Sequence, residues 1–275
     1  MVNLKTPLRY PGGKSRALKK LFKFIPDLST YTEWREPFLG GGSMSIEVIK
    51  RYPHIKVWVN DLYYPLYNFW KHLQLEGETL VEYLTALKRT HPVPNDARRL
   101  FLHAKERIGT DKDPFKDAVR FYIINKCSFS GLTENSSFSK QASDSNFSLK
   151  GIEKLIHYQE FIKDWKITNQ SYTELLTNDT KVFTYLDPPY EIQTNLYGKK
   201  GMMHKAFGHD IFSENCSQHE GHQLISYNDS QLIKDRFKGW NSDTFPLTYT
   251  LRSKGSYLED QKKRKELVLY NYGTV

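Results

Sequence analysis

Cysteine is nearly missing from this chain: Cys127 and Cys216 are the only two. A disulfide framework and the paired thiols of a zinc ribbon are therefore excluded, and a reducing cytoplasm is the expected compartment. The opening MVNLKTPLRY has no apolar signal core, and no apolar run is long enough to cross a bilayer. Internal repeats and low-complexity tracts are also lacking. Acidic residues are in deficit: 31 Asp and Glu stand against 40 Lys and Arg, for a formal net charge of +9. With a pI of about 9.2, mean hydropathy of -0.63 and 14% aromatics, the composition suits an acidic polymer partner, usually nucleic acid. A merely basic enzyme surface is the competing reading. The 275 residues suffice for one large domain, or one domain with an insertion.

What is present falls into an α/β pattern with an interruption. SRALKKLFKFI spaces Leu18, Leu21, Phe22 and Ile25 as an amphipathic helix capped near Ser15. EWREPFLGGGS reads as a strand breaking into a glycine loop before the helix MSIEVIKRY, and IKVWVND is a second strand, which together make a βαβ unit. From Tyr63 to about Gly151 the segments PLYNFWKHLQ, TLVEYLTALKR, DARRLFLHAKERI and PFKDAVRFYIINK all read as helices. The Ser/Asn/Lys/Phe-rich tail CSFSGLTENSSFSKQASDSNFSLKG has too little apolar content for a core of its own. KVFTYLDPPY, HQLISYND and a terminal strand pair around FPLTYTLRS and KELVLYNYG then restore α/β alternation. The expected organisation is a sheet domain over residues 1–62 and 152–275, interrupted by a mainly helical insertion at 63–151.

Two places look chemical. VFTYL is a buried strand stopped by the prolines of DPPY, which cannot donate backbone hydrogen bonds. Asp187 and Tyr190 are thereby held in a stiff turn at the carboxyl end of a strand, where open α/β sheets bind ligands. The second place is Gly40-Gly41-Gly42, where glycine permits close backbone approach to a ligand. Asp61, at the end of the following strand, is placed to accept from ribose hydroxyls. Ser45 occupies the third glycine position of the dinucleotide fingerprint, which argues against NAD and for a nucleoside cofactor needing no pyrophosphate cradle. RYPGGK adds a second glycine pair ending in Lys14, a partner for a carboxylate.

RYPGGK, EPFLGGGS, VND, INKCSFSGL, LDPPY and ELVLYNY occur in the order seen in Dam-type adenine-specific DNA methyltransferases, which the chain resembles over nearly its whole length. The stretch LYGKKGMMHKAFGHDIF also resembles a subgroup of that family. The resemblance implies a Rossmann-like, S-adenosylmethionine-dependent sheet with helices on both faces and an inserted helical target-recognition domain. It implies methyl transfer to N6 of an adenine extruded from double-stranded DNA, with no metal. By resemblance Tyr10 and Lys14 contact the cofactor, Lys14 at its methionine carboxylate, while Glu36, Pro37, Phe38, Gly40, Gly42 and Ser43 form the methionine-side loop. Asp61 holds the ribose, and Ser171 and Tyr172 lie where the family stacks on the cofactor's adenine. Asp187 and the Pro188 carbonyl accept from the target amine, and Tyr190 stacks on the base.

In INKCSFSGLTE, Asn125, Lys126, Phe129, Ser130, Leu132 and Glu134 match the family's DNA-reading positions, with Phe129 as a wedge between base pairs. Ser130 replaces the usual Asn. Glu134 replaces the arginine of GATC-reading members, and glutamate accepts from a cytosine amine rather than reading guanine. GATC specificity is therefore not carried over. Arg9 matches a basic, base-contacting position. The basic run Lys262, Lys263, Arg264 and Lys265 is read as a phosphate contact rather than a solvated turn.

His204, His209, Cys216, His219 and His222 invite a metal reading, but their spacing lacks paired ligands and surface histidines fit better. Three rival functions stay open: a methyltransferase acting on RNA or a protein amide, a DNA-binding regulator with an inactive fold, and a nicotinamide oxidoreductase. A cytoplasmic monomer or weak dimer, working alone or beside a separate restriction endonuclease, completes the expectation.

Overall fold

The computed structural model describes residues 4–10, 12–131, 136–191, 207–247 and 265–273. Its strands are β1 (Glu33–Glu36), β2 (Lys56–Asn60), β3 (Lys166–Thr168), β4 (Val182–Leu186), β5 (His222–Asn228), β6 (Asn241–Pro246) and β7 (Lys265–Tyr270). They form one sheet in the order β3-β2-β1-β4-β5-β7-β6. The first five are parallel, with Trp34 of β1 level with Val57 on one side and Phe183 on the other. Strand order reverses between β1 and β4, and the crevice at such a reversal is where open sheets take ligands. β7 runs antiparallel to both β5 and β6. Its first residues therefore lie at the same edge as the ends of the parallel strands, and Glu266 pairs with Asn228.

The helices are α1 (Leu18–Leu21), α2 (Ser43–Arg51), α3 (Tyr64–Thr90), α4 (Pro94–Arg107), α5 (Pro114–Cys127), α6 (Lys140–Asn146), α7 (Leu149–Glu153), α8 (Ile156–Phe161), α9 (His209–Ser217) and α10 (Gln231–Arg236). Side chains alternate along the strands, so the sheet carries two cores. Leu224 and Val268 join Met44 of α2, Phe69 of α3 and Phe121 of α5 in one. Ile225, Leu267 and Leu269 meet Phe212 of α9 and Ile233 of α10 in the other. The sheet is Rossmann-like, with helices on both faces, as its sequence pattern implies.

The helical segment, α3 to α8, lies between β2 and β3 and extends past 151 to Phe161. Among the described residues, its core belongs to the same cluster as one face of the sheet. Leu66, Phe69 and Trp70, on the first half of α3, belong to the same core cluster as Trp34 of β1 and Val57 and Val59 of β2. Trp70 Nε1 also donates to the Gly40 carbonyl at 3.1 Å. α3 bends at Glu76, whose φ of -135° leaves the helical range. The polar tail after α5 orders itself locally, because Ser139 and Ser148 cap α6 and α7 by accepting from Ala142 N and Gly151 N.

The helix expected from Ser15 is shorter than its spacing suggests. Lys14–Arg16 is a tighter 3-10 turn, only Leu18–Leu21 is α-helical, and no side chain caps either piece. Lys14 is buried at the start of this turn, and its contacts, described below, hold the turn against the sheet. No helix among the described residues is long and apolar enough to cross a membrane.

Candidate active site

All five residues of β4 are buried, and Asp187 is the first residue beyond them. Its Oδ1 meets Lys14 Nζ at 2.8 Å and accepts from Ser226 Oγ of β5 at 2.9 Å. Ser226 spends its one proton on Asp187, so the 2.7 Å contact with Tyr185 has the tyrosine hydroxyl donating. Burial raises the Asp187 pKa, Lys14 pulls it down and Glu266 raises it again, for a net upward shift. The carboxyl group is only partly covered, at 21% side-chain exposure, so one side remains open to a ligand.

Lys14 is 3% exposed, and its ammonium also reaches the Gly12 carbonyl at 3.0 Å and Glu266 Oε1 at 3.4 Å. Those three contacts match its three donors. Burial works against the charge, but the two carboxylates outweigh it and hold the Lys14 pKa above its ordinary value. Nζ also lies 4.9 Å from the centre of the Tyr190 ring. Tyr190 donates its hydroxyl to Glu266 and stacks on Tyr227 at 5.7 Å. Pro188 is buried beside them.

Beyond β1 the chain crosses the glycine loop. Gly40 and Gly42 have φ of +49° and +68°, which L side chains rarely adopt. A Cβ at Gly40 would fall 3.0 Å from the Tyr10 ring, and one at Gly42 would fall 2.9 Å from Trp70. Asp61 ties this loop to the start of α3: one oxygen accepts from Gly40 N and the other from Tyr63 N, each at 3.0 Å. Burial pushes its pKa up to about 6 against those two bonds. Each carboxylate oxygen keeps a further acceptor site, which suits a vicinal diol.

Glu36 ends β1 fully inside the protein and accepts from both Ser45 N, at 3.0 Å, and Ser45 Oγ in the first turn of α2. Trp34 Nε1 donates to the same serine oxygen at 2.9 Å. Burial drives the Glu36 pKa up to about 8. Pro37 gives its carbonyl to Asn60 Nδ2 at 3.1 Å, and Ser43 is the first residue of α2. Phe38 stacks on Tyr172 at 5.6 Å and meets Phe207 and Phe212 edge-on. Tyr172 accepts from Asn215 Nδ2 at 2.8 Å, while Ser171 accepts from Thr173 N. A carboxylate with spare acceptor sites, a close-approach glycine loop and stacked aromatic rings thus follow the ends of β1 and β2. That donor set fits a nucleoside cofactor.

Of the residues matched to DNA-reading positions, Arg9, Asn125 and Lys126 meet at the other end of the Pro7 to Lys14 segment. Asn125 is fully buried, accepts from Arg9 N at 3.0 Å and donates to the carbonyls of Arg9 and Gly131. Arg9 Nη1 donates to Ser128 O at 2.8 Å. Gly131 has φ of +73°, and a Cβ there would fall 2.3 Å from Arg9 O. Lys126 donates to Pro7 O at 2.5 Å, and desolvation lowers its pKa to about 8. Asn125 and Lys126 therefore make their contacts inside the protein, holding the N-terminal segment against the end of α5.

Phe129 is 50% exposed in a short turn spanning Phe129–Gly131, which also contains Ser130. Leu132 and Glu134 lie outside the described residues, as do His204, Lys262, Lys263, Arg264 and most of the 191–208 and 252–265 loops. Lys265 opens β7 at an exposed position. His209, His219 and His222 bond to Tyr227, Asn215 O and Tyr31 respectively, and Cys216 is buried. Among the described residues no three His, Cys, Asp or Glu side chains gather to hold a metal.

Sequence reasoning missed Ser226, Tyr185 and Glu266. Only Glu266 left a trace, as a carboxylate opening the otherwise apolar run ELVLY.

The family model for D12 class N6 adenine-specific DNA methyltransferases matches residues 10–250. The type II methyltransferase M.CviBI of Paramecium bursaria Chlorella virus NC1A is 24% identical over 98% of this chain and 100% of its own. The DNA adenine methylase of Escherichia coli K12 is 23% identical, covering 98% and 96% respectively. The type II methyltransferase M.MjaIII of Methanocaldococcus jannaschii is 23% identical over 69% and 70%. A family-model match across most of its length leads to one conclusion: the chain belongs to the D12 class of N6 adenine-specific DNA methyltransferases, moving a methyl group from S-adenosylmethionine to adenine N6 in DNA.

Proposed function

We propose that Asp187 is the acceptor that activates the target adenine, with the Pro188 carbonyl as its companion. The adenine amine is a poor nucleophile because its lone pair is shared with the ring. Hydrogen bonds from both amine protons, to Asp187 and to Pro188, favour a pyramidal nitrogen whose lone pair is free to attack. S-adenosylmethionine, when bound, supplies an electrophilic methyl carbon on sulfur. As the nitrogen–carbon bond forms and the carbon–sulfur bond breaks, an amine proton leaves toward Asp187. Positioning and electrostatics carry this step. The observation that supports it most is Asp187 itself: a carboxylate at the end of a buried strand, beside the reversal crevice, fixed by Lys14 and Ser226 yet open on one side.

In this reading Asp61 takes the ribose hydroxyls, and the backbone from Glu36 to Ser43, with Tyr10, lines the methionine side. Phe38, Ser171 and Tyr172 border the cofactor's purine. Tyr190 packs on an adenine drawn out of double-stranded DNA, since N6 chemistry needs the base unstacked. Arg9, Phe129 and the turn after α5 face the DNA, Phe129 as the wedge, and the 63–151 segment serves target recognition. The enzyme works as a monomer or weak dimer, alone or beside a separate restriction endonuclease.

Asp187→Ala is expected to lower single-turnover methyl transfer by about a thousandfold or more, while DNA affinity changes little. Tritium transfer from labelled cofactor and gel-shift titration measure the two separately. Near-normal turnover in this variant removes the mechanism.

A further inference from the structure

Glu266 has no part in the reading above, yet it is one of the most completely buried charged side chains, at 0% exposure. A leucine or methionine there would pack with the rest of β7 and avoid the cost of a desolvated carboxylate. Its position explains what it does instead. β7 runs against its neighbours, so this second residue of the strand lies level with Asn228, at the edge where β4 delivers Asp187. Its Oε1 receives the Tyr190 hydroxyl and faces Lys14 Nζ at 3.4 Å. Lys14 in turn holds Asp187 at 2.8 Å. One carboxylate thus ties together the two groups that flank the acceptor.

We infer that Glu266 is a positioning residue for methyl transfer, fixing the Tyr190 ring and the Lys14 ammonium so that Asp187 stays aimed and its charge stays balanced. Tyr190 is clamped from both sides, by Glu266 at its hydroxyl and by Tyr227 against its face. Free rotation of that ring would blur the platform on which a base is to rest. The charged and titratable groups facing Asp187 come from every neighbouring element: Lys14 before α1, Glu36 of β1, Tyr185 of β4 and Glu266 of β7. Glu36 keeps its proton up to about pH 8. The corner therefore sets the Lys14 ammonium between the Asp187 and Glu266 carboxyl groups. Removing the Glu266 charge leaves Lys14 to Asp187 alone, which makes that carboxylate a poorer proton acceptor.

The inference rests on Asp187 being the acceptor, so Asp187→Ala is measured alongside. Single-turnover rates at saturating DNA and cofactor are compared for Glu266→Gln and Glu266→Asp across pH 5.5 to 9, with both dissociation constants and thermal midpoints. Glu266→Gln should slow transfer about 10- to 100-fold while both dissociation constants stay within about threefold. Its acid limb should also move to lower pH, because a negative neighbour of Asp187 has gone. Glu266→Asp keeps the charge but shortens the reach, so it should slow transfer with the acid limb unmoved; it also carries the test if the glutamine variant does not fold. Wild-type rates in both variants, a loss confined to binding, or the same limb shift in both overturns the inference. If those results come with an inactive Asp187→Ala, only the role of Glu266 fails; an active Asp187→Ala removes the reading beneath it.

Discussion

The segment from Pro7 to Lys14 is anchored at its two ends by differently built regions. Lys14 enters a charged corner, gripped by the carboxylates of Asp187 and Glu266. Arg9 enters a corner built on shape, where a single buried amide, Asn125, satisfies its backbone N and O and a glycine leaves room for the crossing. The charged corner holds by balance, so changing one charge alters its chemistry and pH response even if its shape survives. The Arg9 end holds by fit, so changing its shape alters placement and leaves the chemistry intact. In the proposed reading the same short segment therefore links the reacting corner to the face that meets DNA.

The largest expected separation between the two comes from Lys14→Met. It leaves Asp187 and Glu266 facing each other without a cation, in a buried site where an unpaired charge is costly. Transfer should fall about a hundredfold or more. Lys14 lowers the Asp187 pKa, so its removal should raise that pKa and carry the acid limb to higher pH. Glu266→Gln moves the limb the other way. A single-turnover pH series on both variants checks the opposition, and limbs moving together would end the account of a balanced corner.

Asn125→Ala should act on fit alone. It strands Arg9 N, Arg9 O and Gly131 O, groups that cost about 1–3 kcal/mol when buried without partners. The expected outcome is a lower thermal midpoint and about a tenfold loss of discrimination between the target and single-mismatch DNA. Cofactor affinity and the acid limb should not change. Mapping modified adenines first defines the target, and competition kinetics then give the ratio. If this variant shifts the acid limb, the two ends are not separable as described.

The same contrast explains how much was legible beforehand. DPPY and the glycine loop were readable because their constraints are local: proline ends a strand, and glycine admits a positive φ at positions 40 and 42. The alternation of strands and helices gave the sheet and its interruption for the same reason. Glu266 and Ser226 were not readable as site residues because β-sheet register brings them to Asp187, and register is a long-range property. Lys14 was expected at a cofactor carboxylate, but its side chain lies against carboxylates supplied by distant strands. The helix from Ser15 was overestimated because apolar spacing cannot register that Lys14 is buried within the turn that opens it. The polar tail was underestimated because caps at Ser139 and Ser148 stabilise short helices that build no core of their own.

The smallest effect expected is on stability against pH, and there the two regions differ in sign. Glu36 has a folded pKa near 8 against an ordinary value of 4.5, so the folded protein keeps a proton that the unfolded chain releases within that window. Its stabilisation is complete below pH 4.5 and is lost as pH rises through about 8. Lys126 is displaced downward, to about 8 from 10.5, so between those values the unfolded chain binds the extra proton and stability rises with pH. Glu36→Gln keeps an acceptor for Ser45 N but cannot ionise. The difference in thermal midpoint between wild type and this variant should therefore drift against the wild type from pH 5 to 8, and then level off. For Lys126→Met the corresponding difference should be flat below pH 8 and drift in favour of the wild type above it. Scanning calorimetry in matched buffers reads both. A Glu36 difference that does not change with pH would mean that this carboxyl group is ionised in the folded protein, and the charged corner would then hold one more anion than its balance allows.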